Sequence, residues 1–155
     1  METILKVVLV EKAKLLADRG GTLYTVKPDA PAAEAIRTMC EANIGCVLVI
    51  DKGKLIGIFS ERDVLHRIVD RGIPPDTVPV GDVMTKDIFT VPPTLTVEDA
   101  LIECTNRRVR HLPVCEQGRL LGLLSIGDLV RFVVEDKDGT ISDLIDYIHG
   151  PQITV

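Results

Sequence analysis

Leu55-Ile56-Gly57-Ile58-Phe59-Ser60-Glu61-Arg62-Asp63 reads as a buried strand running straight into the first turn of a helix. Sixty-five positions later comes Leu120-Leu121-Gly122-Leu123-Leu124-Ser125-Ile126-Gly127-Asp128, which repeats the apolar run, the glycine and the Ser-x-x-Asp ending. Comparing residues 25–65 with 90–130 at that constant offset of 65 gives ten identities: Thr25, Val26, Pro28, Ala35, Val49, Gly53, Leu55, Gly57, Ser60 and Asp63. Ordinary residue frequencies would supply about two or three. The chain is an internal duplication, and its fold has to be read as two copies of one unit.

Each copy reads the same way. Tyr24-Thr25-Val26 is a short strand ended by Pro28, and Asp29-Ala30-Pro31 opens a helix whose apolar stripe is Ala35, Ile36, Met39 and Cys40. Val47–Ile50 and Leu55–Phe59 are β-rich runs around Asp51-Lys52-Gly53-Lys54, a hairpin in which Gly53 takes the positive φ. Ser60 begins the next helix, with Val64, Leu65, Ile68 and Val69 on one side. In the second copy Phe89-Thr90-Val91 is the strand, Thr96-Val97-Glu98-Asp99 a capping box, and Leu112–Cys115 with Leu120–Leu124 the hairpin around Gly118. The pattern predicts an α+β fold of two β-α-β-β-α repeats packed about a pseudo-twofold axis. Residues 1–72 form the first repeat, with a leading helix that covers it. Residues 73–81, with three prolines, form a linker; 82–150 form the second repeat with a C-terminal helix, and 151–155 a tail.

Composition narrows the function. With 155 residues, 46% hydrophobic but only 3% aromatic, aliphatic side chains must fill the interior. A net charge of −5 argues against a nucleic-acid partner, which would need clustered Lys and Arg. No apolar run approaches the ~20 residues of a membrane span, and Met1-Glu2-Thr3-Ile4 lacks the basic start of a signal peptide, so a cytoplasmic protein is expected. Cys40, Cys46, Cys104 and Cys115 form no CxxC pair and read as reduced, buried apolar groups. Nothing has metal-ligand spacing, and no activated nucleophile is evident.

The strand–helix–hairpin–helix order, the hairpin glycines, the repeated Gly-x-x-Ser-x-x-Asp and the Asp82-Val83-Met84-Thr85 segment together resemble the cystathionine β-synthase (CBS) domain. Two in tandem resemble a Bateman module, of the stand-alone bacterial type suggested by the Ser-Glu-Arg-Asp and Ser-Ile-Gly-Asp variants and by Asp146-Tyr147-Ile148-His149-Gly150. That resemblance implies clefts between the repeats able to hold an adenine nucleotide, with Asp63 and Asp128 accepting hydrogen bonds from ribose hydroxyls. It implies Ser60 and Ser125 at the sugar or phosphate, and Thr25, Thr90, Ile44, Gly45 and Cys46 around the purine. Met84 would be core that also touches a ligand edge.

The same residues have plainer readings. Ser60-x-x-Asp63 and Ser125-x-x-Asp128 are good helix caps, worth about 1 kcal/mol each to any helix. Arg107 and Arg108 close a helix and suit its dipole. Arg110 and His111, at the mouth of a strand in an otherwise acidic protein, favour an anionic ligand; Arg62 and Lys86 could extend that site or be ordinary surface charge. The combined reading is a regulatory module without catalysis of its own. It would sense AMP first, or ATP, ADP or NAD(H), pair as a homodimer and act on a regulated partner protein. The alternative is an interaction scaffold with empty or degenerate clefts.

Overall fold

A computed structural model describes residues 3–17 and 23–136. It opens with helix α1 (Leu5–Ala17), followed by strand β1 (Thr25–Val26), helix α2 (Ala32–Ala42), strands β2 (Cys46–Asp51) and β3 (Lys54–Ser60), and the short helix α3 (Glu61–Asp63). The α3 turn continues as a π-helical segment, Val64–Val69, in which Asp70 N–H donates to Leu65 O at 2.9 Å and Ile73 N–H to Ile68 O at 3.0 Å. After a one-turn helix α4 (Val80–Val83) come α5 (Val97–Arg107), β4 (His111–Glu116), β5 (Arg119–Ser125) and α6 (Ile126–Asp136). The expected C-terminal helix beyond Asp136 lies outside the described residues.

The duplication is visible in the backbone. β1, β2 and β3 form one sheet, parallel between β1 and β2 and antiparallel between β2 and β3. β4 and β5 form the second hairpin, and Val91 alone stands where β1 would be, bridged to Val114 as Val26 is to Val49. Pro113 stands where Leu48 does and has no N–H to match the Leu48 N–H bond to Tyr24 O (3.1 Å), which limits that strand to one bridge. Both hairpins shift register at the same place, between Val49 and Ile50 and between Val114 and Cys115. Their turns carry two successive positive φ values, Lys52-Gly53 (50° and 77°) and Gln117-Gly118 (49° and 75°), the geometry of a two-residue type I′ turn. Helices α2 and α5 end alike, on left-handed Asn43 and Arg108, each at φ 54°.

Seven buried pairs at the 65-residue offset fill the two cores: Val26/Val91, Ala32/Val97, Ala35/Ala100, Met39/Cys104, Val47/Leu112, Val49/Val114 and Phe59/Leu124. What completes each core is supplied from outside the repeat. Val80, Val83 and Met84 close the first, so the end of the stretch read as linker and the first residues read as repeat two pack into the core of repeat one. Leu5 and Val8 close the second, and α1 is fixed there by Leu5 N–H to Leu95 O (2.9 Å) and Val97 N–H to Thr3 O (2.9 Å). The expectation that the leading helix covers the first repeat is therefore corrected: α1 belongs to the second. A further correction concerns the cysteines, since Cys40 is exposed and Cys115 only half-buried, whereas Cys46 and Cys104 are buried. Among the described residues, no helix is long and apolar enough to cross a membrane.

Candidate ligand cleft

A cavity of about 610 Å³ opens where the two repeats and α1 meet, within the range usual for small-molecule sites. Repeat one contributes Tyr24 ahead of β1 and the stretch Asn43–Cys46 between α2 and β2. Repeat two contributes His111, Leu121–Leu123 on β5, and Ser125 and Asp128 at the start of α6; α1 adds Leu9, Lys12 and Ala13. The Asn43 cap turns the chain so that Ile44 and Gly45 face this space. Gly45 lies close to the second repeat, since a Cβ there would stand 3.3 Å from His111 Cε1.

Asp128 is positioned by its own helix start. Ser125 N–H donates to its Oδ2 at 2.8 Å, and Asp128 N–H donates to Ser125 Oγ at 3.1 Å, a complete reciprocal cap. The same Oδ2 accepts from Lys12 Nζ at 2.7 Å, and Lys12 also donates to Leu123 O at 2.8 Å. Burial by itself would raise the Asp128 carboxyl, but the Lys12 and Ser125 hydrogen bonds outweigh it and hold the group below its usual value. His111 moves down from 6.5, first through burial and next through the Lys12 charge, with Asp128 and Glu61 opposing. Cys46 is pushed up to about 12, mainly by burial. Among the described residues the cleft thus contains one cation, one anion, a neutral imidazole and an inert thiol.

The pseudo-equivalent carboxylate is differently placed. Asp63 is only 7% exposed. Its Oδ2 accepts from Ser60 N–H (2.9 Å) and Ser60 Oγ–H (3.1 Å), its Oδ1 from Thr85 Oγ1–H (2.9 Å), and Arg67 Nε stands 3.5 Å away. Thr85 reaches it because residue 85 bridges to Ile58 on β3. Beside it Met84 covers Gly57, where a Cβ would lie 2.9 Å from Met84 Cγ. On the other side of the pseudo-axis Leu9 does the same over Gly122, with Cδ2 at 2.7 Å. Residues 84–85 and the α1 pair Leu9 and Lys12 thus cover equivalent glycine and aspartate positions.

Of the residues singled out from sequence, Ile44, Gly45, Cys46, His111, Ser125 and Asp128 line the cavity. Ser60 and Asp63 are engaged with each other and with Thr85, and Met84 is buried core. Thr25, Arg62, Lys86, Thr90 and Arg110 are exposed and are not among the lining residues. Arg110 contributes its carbonyl, which accepts from Ile126 N–H at 2.9 Å. Arg107 pairs with Glu103 at 2.7 Å and lies 3.7 Å above the Phe89 ring, so it serves more than the helix dipole. Lys12, Leu9 and Tyr24 were not foreseen at the site. Tyr24 could have been, because it adjoins a strand already placed there; α1 has no counterpart at the 65-residue offset to indicate its side. Among the described residues no His, Cys, Asp or Glu cluster could hold a metal.

This arrangement defines a paired-repeat cleft, and comparison with known proteins identifies its kind. The family model of the CBS domain matches residues 22–70 and 80–135, and the chain belongs to that family. It is 34% identical over 146 residues to the mitochondrial CBS domain-containing protein CBSX3 of Arabidopsis thaliana, spanning 91% of this chain and 70% of that protein. A solved CBS-domain protein from Burkholderia ambifaria superposes with a TM-score of 0.78 at 36% identity, covering 90% of this chain and 99% of that one. The structure of CBSX2 in complex with AMP superposes with a TM-score of 0.64 at 28% identity, covering 75% of this chain and 90% of that one.

Proposed function

We propose that this protein is a regulatory module that binds an adenine nucleotide, AMP foremost, in the Lys12–His111–Asp128 cleft, and that it performs no chemistry on it. The observation that carries the reading is Asp128: a carboxylate fixed by a reciprocal helix cap at the edge of a cavity large enough for a mononucleotide. A carboxylate held this way can take two vicinal hydroxyl donors at once. The Ile44-Gly45-Cys46 turn and Leu121 supply an apolar slot for a purine, and Lys12 a counter-charge for a phosphate. The AMP complex of CBSX2 supports the choice of ligand. ATP, ADP and NAD(H) share the adenosine and are the next ligands to compare.

A ligand seated here touches both repeats and α1, so it would bias their relative placement, which is how such a module would pass occupancy to a partner protein. The saturation of Asp63 by Ser60, Thr85 and Arg67 favours one occupied cleft per chain, the other serving as structure. Leu65 and Val69 on the π-helical segment and Val130 on α6, all exposed, are apolar positions through which two chains would pair as a homodimer. The scaffold reading keeps the same fold with an unoccupied cleft.

Thermal unfolding with and without nucleotide tests this. AMP at ~100 times its Kd should stabilise by about 2.7 kcal/mol, a rise of several degrees, and Asp128→Ala should abolish the rise. No shift with any adenine nucleotide would leave the scaffold reading standing.

A further inference from the structure

Lys12 occupies one of the two carboxylate oxygens that the cleft would offer to a sugar. Its Nζ donates to Asp128 Oδ2 and to Leu123 O at 2.7 and 2.8 Å, and it reaches them from a helix tied down at Leu5 and Thr3. The ammonium is 26% exposed, as is its carboxylate partner. Among the described residues that line the cavity, Lys12 is the one Lys or Arg and Asp128 the one Asp or Glu. Asp128 Oδ2 already accepts from Ser125 N–H and Lys12, while Oδ1 accepts from no donor among the described residues. A hydroxyl pair that uses both oxygens therefore displaces Lys12 from Oδ2, and the ammonium then needs a new counter-charge in surroundings that are mostly apolar.

We propose that Lys12 is a specificity-determining residue: a tethered occupant of the Asp128 site that yields to ligands carrying their own anionic group and resists those that do not. This deepens the nucleotide reading of the same cleft and rests on it. When the ribose takes Asp128, a 5′-phosphate gives the released ammonium a charge-assisted contact that replaces the lost one. An unphosphorylated nucleoside leaves the ammonium with Leu123 O but without a counter-charge, and separating a partly buried charge from its ion partner is costly. The lysine stem is long and flexible enough to re-aim without moving α1. The cleft would then report the phosphorylation of a nucleoside and not merely its presence.

The test is calorimetric titration of the full chain with AMP and with adenosine, on wild type, Lys12→Met and Lys12→Gln. Methionine keeps the apolar stem and a good helix propensity, and circular dichroism melts establish that both variants fold. Wild type should prefer AMP. Both variants should bind adenosine more tightly and AMP more weakly, shrinking the AMP-to-adenosine ratio by about tenfold or more. An unchanged ratio, with both probes still binding, overturns the role of Lys12 and leaves the nucleotide reading intact. Failure of both probes to bind wild type and variants overturns the nucleotide reading itself. Asp128→Asn should weaken both probes; undiminished binding there would place them elsewhere and overturn the inference.

Discussion

Thr85 Oγ1 donates a 2.9 Å hydrogen bond to Asp63 Oδ1, joining the segment between the repeats to the helix start of the first. The equivalent carboxylate, Asp128, receives Lys12 instead. Two copies of one motif have been given different neighbours, and the neighbours set what each can do.

Asp63→Ala should therefore act on stability. It removes a helix cap worth about 1 kcal/mol and leaves the Thr85 hydroxyl and Arg67 without their acceptor. A total loss of about 2–3 kcal/mol follows, lowering Tm by roughly 2–4 °C per kcal/mol for a chain of this size. Asp128→Ala removes an equal cap and the Lys12 counter-charge, but Lys12 keeps Leu123 O and the pair is more exposed than Asp63. It should therefore cost less, about 1–2 kcal/mol, while removing the nucleotide response. Urea unfolding of both variants checks the order, and a reversed order would contradict the assignment.

Gly57→Ala should destabilise by about 1–3 kcal/mol through overpacking. Three Met84 side-chain atoms crowd the position a Cβ would take, and Met84 is itself buried. Gly122→Ala should cost less, because a single methyl of Leu9 stands close and the next atom is 3.9 Å away. Adding Met84→Ala to Gly57→Ala should recover part of the loss, giving a non-zero coupling in a double-mutant cycle.

His111 gives the stability a pH slope. Its folded pKa is below the usual 6.5, so the unfolded chain takes up the proton more readily. The stabilising contribution of the neutral ring is complete above the unfolded value and is lost as pH falls toward the folded one. Wild type should lose more stability between pH 7.5 and 5.5, values on the order of one unit either side of the ordinary histidine pKa, than His111→Gln does. Asp128 titrates below this window and should not contribute to the difference. Denaturant unfolding at both values reads it directly, and equal losses would contradict it.

Thiol labelling should discriminate among the cysteines. The thiolate is the reactive form, and a Cys46 thiol pushed up to about 12 and buried carries almost none of it at neutral pH. Cys40, exposed on α2, should label first, and Cys46 should label only after denaturation. Early modification of Cys46 mapped by mass spectrometry would be inconsistent with this packing.

The offset of 65 made most of the fold legible, because burial follows the repeat: seven core pairs, both hairpins, both register shifts and both helix ends recur at it. The allegiance of α1 was not legible. Val7, Val8, Leu9 and Val10 run consecutively and mark no single face, and no duplicated sequence stands opposite them. Half of the site was hidden for the same reason. Ser60 and Asp63 look as available as Ser125 and Asp128, and only the unduplicated Thr85 and Lys12 separate them. Charge also misled: Arg110 drew attention through its neighbours, while the cation in the cleft came from a helix with nothing unusual about its lysines.

The crossing of the flanking segments has a consequence for synthesis. Residues 80–84 finish the first core and Leu5 with Val8 finish the second, so neither half is sealed by the polypeptide that begins it. Leu5 must wait for Leu95 before its backbone has a partner, so α1 cannot dock until the chain has been made into the second repeat. A half translated alone would be left with an apolar gap that a second such fragment could fill by exchange.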